Sequence, residues 1–452
     1  MRISVIGLGK LGLCAAACFA TKESRVIGVD VNAGIVDAVN NGRAPFYEPR
    51  LQELMETAGS RLRATQDYRS ALEESDATFL IVPTPSEPTG RFSAWSLREA
   101  LRHLSSALRG SSKPYHLFNV TSTVSPGTTT EQLIPLVEEL SGRKLHDGFG
   151  VCYNPEFVAL GSVISDFLKP DMVLIGESDD LAGGALASLY RAVCENTPYV
   201  ARMSIVSAEI AKISLNAFVT MKISFANTLA AISEAIPGAD GDAITRALGA
   251  DRRIAPHALK GGLPFGGPCF PRDNRAFAAF AECHGVDARL ARATDDVNLA
   301  RERQIVRLVE EQLSTANEHS VSILGLAYKA GTPVIDESPA VAVVQHFLRR
   351  GDVAITVYDR LAAENARSVF GDRVAYATSV RECVSKSALC IIMTPCDEFR
   401  SIDERYVAHD PTTFLDCWRI LDPSRLGGNA RYVTLGTAMP KPLQGALAES
   451  GE

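Results

Sequence analysis

The chain has 452 residues, of which 46% are hydrophobic and 22% charged, with a net charge of -7 and a pI near 5.7. This length exceeds one ordinary hydrophobic core and indicates about three domains. The acidic balance argues against a general nucleic-acid surface, because phosphate binding needs clustered Lys and Arg. The N-terminus predicts a strand rather than a signal peptide, and we expect no membrane span. We therefore expect a cytoplasmic protein, in which ten cysteines without paired or metal-like spacing imply reduced thiols and no metal site.

The first motif is a glycine loop between a predicted strand at 3–6 and a predicted helix, and a second strand then ends at Asp30. In a GxGxxG loop the first glycine permits the turn, the second lets a pyrophosphate approach, and the third lets the helix pack on the strand. The carboxylate would bind ribose hydroxyls and repel the extra phosphate of NADP, so the pattern predicts NAD. A glycine turn without a ligand is the alternative. The predicted loop contacts are Gly7, Leu8, Gly9, Lys10, Leu11 and Gly12.

Further predicted strands end in polar loops, and the carboxyl ends of parallel strands line the ligand crevice of a doubly wound sheet. We therefore expect the hydroxyls and amides of these loops to bind the cofactor, although such residues are also typical of ordinary turns. A charged residue after the next strand, Glu156, is either a candidate base or a solvated loop residue. The loop residues are Val82, Pro83, Thr84, Ser122 and Thr123.

A helix of about 32 residues is predicted from 205 to 236 and would be roughly 48 Å long, enough to bridge domains. Lys212 and Asn216 are four residues apart and so share a face of this helix. The lysine either extends its charge to solvent or points into a site.

Cys269 lies in a stretch rich in glycine and proline, 261–274, just before another predicted helix. The glycines let the backbone approach a ligand, and helix amides together with Arg272 would favour a reactive thiolate. The alternative is a small buried hydrophobic residue. A basic cluster precedes this loop and predicts either a phosphate-bearing substrate or a solvated turn; it comprises Arg252, Arg253, His257 and Lys260.

A second α/β unit begins near residue 320, with predicted strands near 355, 388, 413 and 432. Its first loop, at 325, lacks the GxGxxG pattern, so we expect no second dinucleotide there. A helix is expected to begin with Ser338 at its N-cap and Pro339 at its first position.

Together these motifs resemble the UDP-glucose/GDP-mannose dehydrogenase family, and the resemblance runs from the first strand to Arg419. The shared motifs are GLGKLG with Asp30, VPTP at 82–85, STV at 122–124, NPEF at 154–157, AEIAKISLNAF around Lys212, FGGPCFPRD at 265–273 and GLAYK at 325–329. The resemblance implies two Rossmann-like doubly wound domains joined by a long central helix and a small helical domain. The expected limits are 1–200 for the NAD-binding domain, 201–312 for the helical domain, 313–440 for the nucleotide-sugar-binding domain and 441–452 for a flexible tail.

The resemblance also implies an activity, the oxidation of the C6 alcohol of a nucleotide sugar to the acid with two NAD. UDP-glucose is the first expected substrate, with GDP-mannose and UDP-N-acetylhexosamines open. A homodimer through the central helix and a role in polysaccharide biosynthesis are implied as well. A single-step dehydrogenase of the 6-phosphogluconate type and a non-enzymatic nucleotide-sugar sensor are the competing interpretations. The single-step dehydrogenase would give no role to Cys269 or to the second sheet. The sensor would require that some of the catalytic residues be missing, whereas all of them are present.

Carried over by position, Cys269 would be the nucleophile that attacks the aldehyde intermediate, and Glu156 would handle protons and activate water. Lys212, Asn216 and Asp273 would hold the reacting oxygens, Thr123 would complete the catalytic set, and Arg272 would also approach the cofactor. The implied substrate contacts are Glu156, Phe157, Leu160, Lys212, Asn216, Arg253 (across a subunit boundary), Lys260, Phe265, Gly266, Tyr328, Lys329 and Arg419.

Three positions depart from the family pattern. Leu160 replaces a second acid, which leaves only its backbone for substrate. Asp336 stands where many members have an arginine that approaches the cofactor. Arg272 replaces a common lysine, which keeps the charge and changes the geometry.

Overall fold

A computed structural model describes residues 1–22, 24–316 and 318–438. It divides into two compact units. The first unit contains Met1–Leu215 and Ala276–Ala288, and the second contains Asn216–Arg275 and Arg289–Glu452. The expected domain limits at 200, 312 and 440 stay a prediction, and the expected tail at 441–452 lies outside the described residues.

The first unit is built on a twisted sheet in the order β3-β2-β1-β4-β5-β7-β8-β9, with β6 beside β7. Every named pair is parallel except β7 with β8. The strand order reverses between β1 and β4, which is where such sheets open a ligand crevice. The strands are β1 Arg2–Ile6, β2 Arg25–Val29, β3 Leu62–Thr65, β4 Ala77–Leu80, β5 His116–Val120, β6 Lys144–Leu145, β7 Gly148–Tyr153, β8 Met172–Glu177 and β9 Tyr199–Ser204.

Helices cover both faces of this sheet, and each face has its own apolar core. In β1, Ile3 and Val5 point into one core and Ile6 into the other, as the two-residue period of a strand requires. The sheet is therefore doubly wound, as predicted. The helices are α1 Lys10–Thr21, α2 Ala33–Asn40, α3 Leu51–Ala58, α4 Tyr68–Glu74, α5 Trp95–Arg109, α6 Ile134–Ser141, α7 Val163–Leu168 and α8 Asp180–Val193.

A helical segment follows, and its first helix, α9, has 31 residues and ends one residue before the predicted limit. By length and composition alone α9 could cross a membrane, a possibility that the sequence analysis did not anticipate. Core helices of soluble proteins pass the same test. The apolar sequence of α9 also contains buried polar residues, among them Glu209, Asn216 and Asn227. The helices are α9 Ile205–Ala235, α10 Gly241–Gly249, α11 Phe270–Cys283 and α12 Arg289–Ala316.

The second unit contains a parallel sheet in the order β12-β11-β10-β13-β14-β15. The predicted second doubly wound sheet is thus confirmed. Ser338 occupies the predicted N-cap, but its hydroxyl donates to the carbonyl of Leu326 instead of capping the helix. The elements are β10 Ser320–Leu324, α13 Pro339–Arg350, β11 Ala354–Tyr358, α14 Ala363–Phe370, β12 Ala375–Tyr376, α15 Val380–Val384, β13 Leu389–Ile392, β14 Thr412–Asp416 and β15 Ala430–Thr434.

Candidate functional site

The glycine loop between β1 and α1 has room for a phosphate. A Cβ atom on Gly7, whose φ is 91°, would strike the carbonyl oxygen of Ile81, and a Cβ atom on Gly12 would strike that of Gly7. A Cβ atom on Gly9 would meet nothing within 4 Å, and Gly9 places no side-chain cap on the first amides of α1. These amides, with the positive end of the helix dipole, suit an anion, so the loop fits the pyrophosphate of a dinucleotide.

Asp30 follows β2 and is fixed beside the same loop. One carboxylate oxygen accepts the amide hydrogen of Leu8 and the other that of Asn32, each at 2.8 Å. Both bonds orient the carboxylate. A negative charge at this position favours ribose hydroxyls over the extra phosphate of NADP, so the donor set fits NAD.

Hydrogen bonds join the loops that follow β4 and β5. The hydroxyl of Ser122 accepts from the amide of Val82 at 2.9 Å and donates to its carbonyl at 2.7 Å. The hydroxyl of Thr84 donates to the carbonyl of Thr123 at 2.7 Å. These hydroxyls therefore join the two loops, and the predicted contacts of Ser122 and Thr84 with the cofactor stay predictions. Pro83 is exposed and Thr123 partly exposed.

A buried acid on α9 holds the far end of the loop that follows β5. Glu209 has no exposed side-chain surface and accepts the amide hydrogens of Gly127 at 2.6 Å and Thr129 at 3.0 Å. Burial raises the pKa of this carboxyl. The sequence analysis missed Glu209, although an acid inside an apolar helical run was the available signal.

Glu156 follows β7 and is partly buried. Burial raises the pKa of its carboxyl to about 7, against the opposing effects of Tyr190 and Lys212. The ammonium of Lys212 donates to the main-chain carbonyl of Glu156 at 2.6 Å and lies 4.4 Å from the centre of the Phe157 ring. Lys212 is only 7% exposed, so its charge does not extend to solvent. A carboxyl that titrates near neutrality, beside a buried cation, suits proton transfer.

The loop after Phe157 is held by another acid that the sequence analysis missed. Glu48 is 6% exposed and accepts the amide hydrogens of Gly161 and Val163, each at 2.9 Å. The side chain of Leu160 packs against the apolar core. The expected contact of its backbone with substrate stays a prediction.

In the second unit, Cys269 directly precedes α11, and its carbonyl accepts the amide hydrogen of Asp273 at 2.8 Å. Asp273 is 1% exposed, and its two oxygens bind the amide of Asn216 at 2.6 Å and the guanidinium of Arg272 at 3.2 Å. Cys269 and Cys283 are exposed, whereas the other eight cysteines are buried or partly buried. Four of the predicted site residues therefore lie together at the start of one helix, with an exposed thiol among them.

Three buried side chains from α9 and α12 hold the backbone of the cysteine loop. The side-chain amide of Asn227 accepts from the main-chain amide of Gly262 at 2.8 Å and donates to the carbonyl of Leu263 at 3.1 Å. Asn298 makes the same pair of bonds with Phe265, at 2.8 and 2.9 Å. Arg301 donates to the carbonyl of Gly262 at 2.8 Å. None of the three was predicted, because a polar side chain on a helix carries no sign of the loop that it will meet.

The two glycines before Cys269 approach the loop that follows β10. The amide of Gly267 donates to the main-chain carbonyl of Asp336 at 2.9 Å, and a Cβ atom on Gly267 would strike the ring of Tyr328. Asp336 thus contributes its backbone, while its side chain is exposed. Gly266 is buried, and Tyr328 and Lys329 are partly exposed.

Three basic residues that were predicted to contact substrate bind groups of the protein itself. Arg253 is 82% exposed and pairs with Asp251 of its own turn at 2.7 Å. The ammonium of Lys260 donates to the carbonyl of Trp418 at 3.1 Å. Arg419 donates two hydrogen bonds to the carboxylate of Asp242, at 2.7 and 2.8 Å, and also donates to three main-chain carbonyls. The proposed contacts of these residues with substrate stay predictions.

Comparison with known proteins extends over nearly the whole chain. Residues 1–194, 206–300 and 322–423 match the NAD binding, central and UDP binding domains of the UDP-glucose/GDP-mannose dehydrogenase family. UDP-glucose 6-dehydrogenase AglM of Haloferax volcanii is 37% identical over 93% of this chain and 97% of its own. GDP-mannose 6-dehydrogenase of Pseudomonas putida is 34% identical over 79% and 81%.

A solved structure supports the same assignment. The UDP-glucose dehydrogenase of the archaeon Pyrobaculum islandicum superposes with a TM-score of 0.87 at 34% identity, covering 97% of this chain and 98% of its own. The resemblance found in the motifs is confirmed, as is the NAD cofactor predicted from Asp30. The chain belongs to the UDP-glucose/GDP-mannose dehydrogenase family and is an NAD-dependent nucleotide-sugar dehydrogenase.

Proposed function

We propose that this protein oxidises the C6 alcohol of UDP-glucose to the acid and that Cys269 carries the sugar between the two oxidations. One observation carries the proposal: Cys269 is an exposed thiol at the N-terminus of α11, next to the Asp273, Asn216 and Arg272 cluster. The positive end of a helix and a neighbouring guanidinium both favour a thiolate. UDP-glucose is preferred because the C-terminal match is to a UDP binding domain and because the relatives include UDP-glucose 6-dehydrogenases.

The thiol solves a chemical problem in a four-electron oxidation. An aldehyde cannot give up a second hydride until a nucleophile adds to it. The sulfur of Cys269 adds to the aldehyde carbon, and the carbonyl oxygen takes a proton, which gives a thiohemiacetal. Loss of the hydride and of the hydroxyl proton leaves a thioester. Water then adds to the thioester carbon, the carbon–sulfur bond breaks, and the acid leaves while the sulfur regains its thiol form.

NAD, when bound, accepts a hydride in each oxidation, so two equivalents are consumed per sugar. The loop from Gly7 to Gly12 and Asp30 would hold it, because the loop suits a pyrophosphate and the carboxylate suits ribose hydroxyls. Arg272 and the loops at 82–84 and 122–123 would complete this site.

The buried Lys212 and the partly buried Glu156 suit the proton and charge transfers. The ammonium of Lys212 stabilises an oxygen as it gains negative charge, and its fixed position means that little reorganisation is needed. Glu156 takes a proton from the attacking water. Because the pKa of its carboxyl is raised to about 7, the ionised form that can act as a base becomes abundant only as the pH rises through neutrality. Asn216 and Asp273 would hold the water or the C6 oxygen.

A panel of nucleotide sugars tests the substrate. UDP-glucose, GDP-mannose, UDP-N-acetylglucosamine and UDP-N-acetylmannosamine are each incubated with the protein and NAD, and acid formation is measured by mass spectrometry. We expect kcat/KM for UDP-glucose to exceed that for the others by roughly tenfold or more. If only GDP-mannose gives acid, the substrate is GDP-mannose and not UDP-glucose, while the proposed reaction stands. If no member of the panel gives acid, the proposed reaction is wrong.

We also propose a homodimer that forms through α9. Phe218, Phe225 and Ile232 recur every seven residues, and each is about half exposed. This spacing puts them on one face of the helix, and an exposed apolar stripe suits contact with a second copy.

The cytoplasmic location expected from the sequence stays a prediction, which fractionation of the source cells tests.

Charge placed on this stripe is expected to separate the subunits, because a carboxylate would have to be buried without a partner. The variant Phe218→Glu, Phe225→Glu should elute as a single chain of 48.6 kDa in light scattering, while the unaltered protein elutes at twice that mass. The control is Leu181→Glu, at a position that is 66% exposed on α8. A dimer that survives the double substitution would place the interface elsewhere.

A further inference from the structure

A tyrosine of the first unit lies between Glu156 and a buried amide. The hydroxyl oxygen of Tyr190 is 2.6 Å from Oε1 of Glu156 and 2.6 Å from Oδ1 of Asn154. Tyr190 is 2% exposed and Asn154 is 1% exposed. The ring of Tyr190 packs edge-on against Phe19 and also contacts Phe167. The ring is therefore held in place, and only the hydroxyl hydrogen can turn.

The amide of Asn154 can face the tyrosine in one orientation only. Its nitrogen donates to the carbonyl of Leu174 at 2.8 Å, and its oxygen lies 3.4 Å from the amide nitrogen of Asn119. Rotating the amide would place its oxygen against the Leu174 carbonyl, where two acceptors would meet. The oxygen of Asn154 therefore faces Tyr190 and competes for its hydrogen.

A hydroxyl has one hydrogen, and two acceptors at 2.6 Å cannot both receive it in full. When Glu156 is protonated, the carboxyl proton can be donated to Tyr190, which then donates to Asn154, so that all three groups are satisfied. When Glu156 is ionised, the tyrosine hydrogen turns to the carboxylate. Asn154 is then left with the long contact to Asn119. The position of one hydrogen is thus linked to the charge on Glu156.

We propose that Tyr190 and Asn154 are positioning residues that set the proton affinity of Glu156 in opposite directions. Tyr190 stabilises the carboxylate by donating its hydrogen, and Asn154 opposes this by competing for the same hydrogen. The inference rests on the proposed function, in which Glu156 is the proton-transferring acid and base, and it names the residues that tune that role.

Other groups that face Glu156 act on its charge as well. Burial is the largest influence and raises the pKa of the carboxyl, while the ammonium of Lys212 on α9 lowers it. The thiols of Cys18 on α1 and of Cys194, at the end of α8, also face it. Burial raises the pKa of both thiols, so they remain neutral near pH 7. Neither variant proposed below alters any of these groups.

Two substitutions test the proposal by shifting one titration in opposite directions. Tyr190→Phe removes the donor to the carboxylate and should raise the pKa of Glu156 by about one pH unit, the size expected for one hydrogen bond to a charged group. Asn154→Leu keeps the side-chain volume, removes the competing acceptor and should lower that pKa by roughly half a unit.

The titration is followed by infrared difference spectroscopy of the carboxyl band in the unliganded full-length protein, between pH 5 and 9. The band is assigned by its loss in Glu156→Gln. Because no turnover is needed, a failure of the proposed reaction would leave this measurement intact. In the active enzyme, the rise of kcat with pH should shift by the same amount, whereas a merely structural loss would lower kcat equally at every pH.

Opposite shifts in the two variants support the proposal. A fall or no change in Tyr190→Phe, or a rise in Asn154→Leu, would overturn it. If thermal melting shows that Asn154→Leu does not fold, the sign of the shift in Tyr190→Phe alone decides, since that variant removes one oxygen from a ring that stays packed.

Discussion

Replacement of Cys269 by serine should lower acid formation by roughly 10⁴-fold or more, while binding of the nucleotide sugar changes by less than about threefold. A serine hydroxyl has nearly the same volume, but it stays protonated at neutral pH and is a much weaker nucleophile than a thiolate. It therefore cannot add to the aldehyde at a useful rate. Acid formation is measured by mass spectrometry, and binding by calorimetry.

The chain supplies a matched control. Cys283 is the other exposed cysteine, and it lies at the opposite end of the same helix, α11. Cys283→Ser should keep full activity, which would exclude a general effect of losing an exposed thiol. Full acid formation by Cys269→Ser would refute the assignment of the nucleophile.

Lys212→Met should lower kcat by about 10²- to 10³-fold, with a KM within about threefold of the original value. Methionine keeps a long apolar stem against Phe157 and removes the buried charge that lies 2.6 Å from the Glu156 carbonyl. An interaction that matters only when an oxygen becomes negative lowers kcat when it is lost, and leaves ground-state binding nearly unchanged. Steady-state kinetics at saturating NAD provide both constants.

Lys169→Met is the control for this variant, because that lysine is 61% exposed and forms only a long ion pair of 3.8 Å with Glu195. It should leave both constants unchanged. A rise in KM without a fall in kcat in Lys212→Met would make the lysine a substrate-binding group, and the proposed stabilisation of a developing charge would then be wrong.

The motifs that could be predicted from the sequence are those in which backbone geometry fixes the residue type. Gly7 needs a positive φ, and both Gly7 and Gly12 allow no Cβ atom, so a strand, a glycine loop and a helix were recognisable together. Asp30 was found by its distance along the chain, since it must end the second strand of the same unit. Cys269 was found because glycines and prolines mark a loop that approaches a ligand.

The parts that escaped prediction depend on contacts between distant segments. Ser122 and Thr84 were predicted from their loops, but the hydrogen bonds of their hydroxyls with the backbone of the neighbouring loop were not. Glu48, Asn298 and Tyr190 act on loops and side chains that are between 33 and 115 residues away. No local pattern signals such a partner, because any polar residue on a buried face would look the same before the chain folds.

The central claim is that one active site carries the sugar through both oxidations on a thiol. It is tested most directly by counting the NADH formed per nucleotide sugar consumed, with the sugar limiting and NAD in excess. The account predicts a ratio of two, with acid as the product and no free aldehyde at any time. A ratio of one would contradict it and would support a single-step alcohol dehydrogenase.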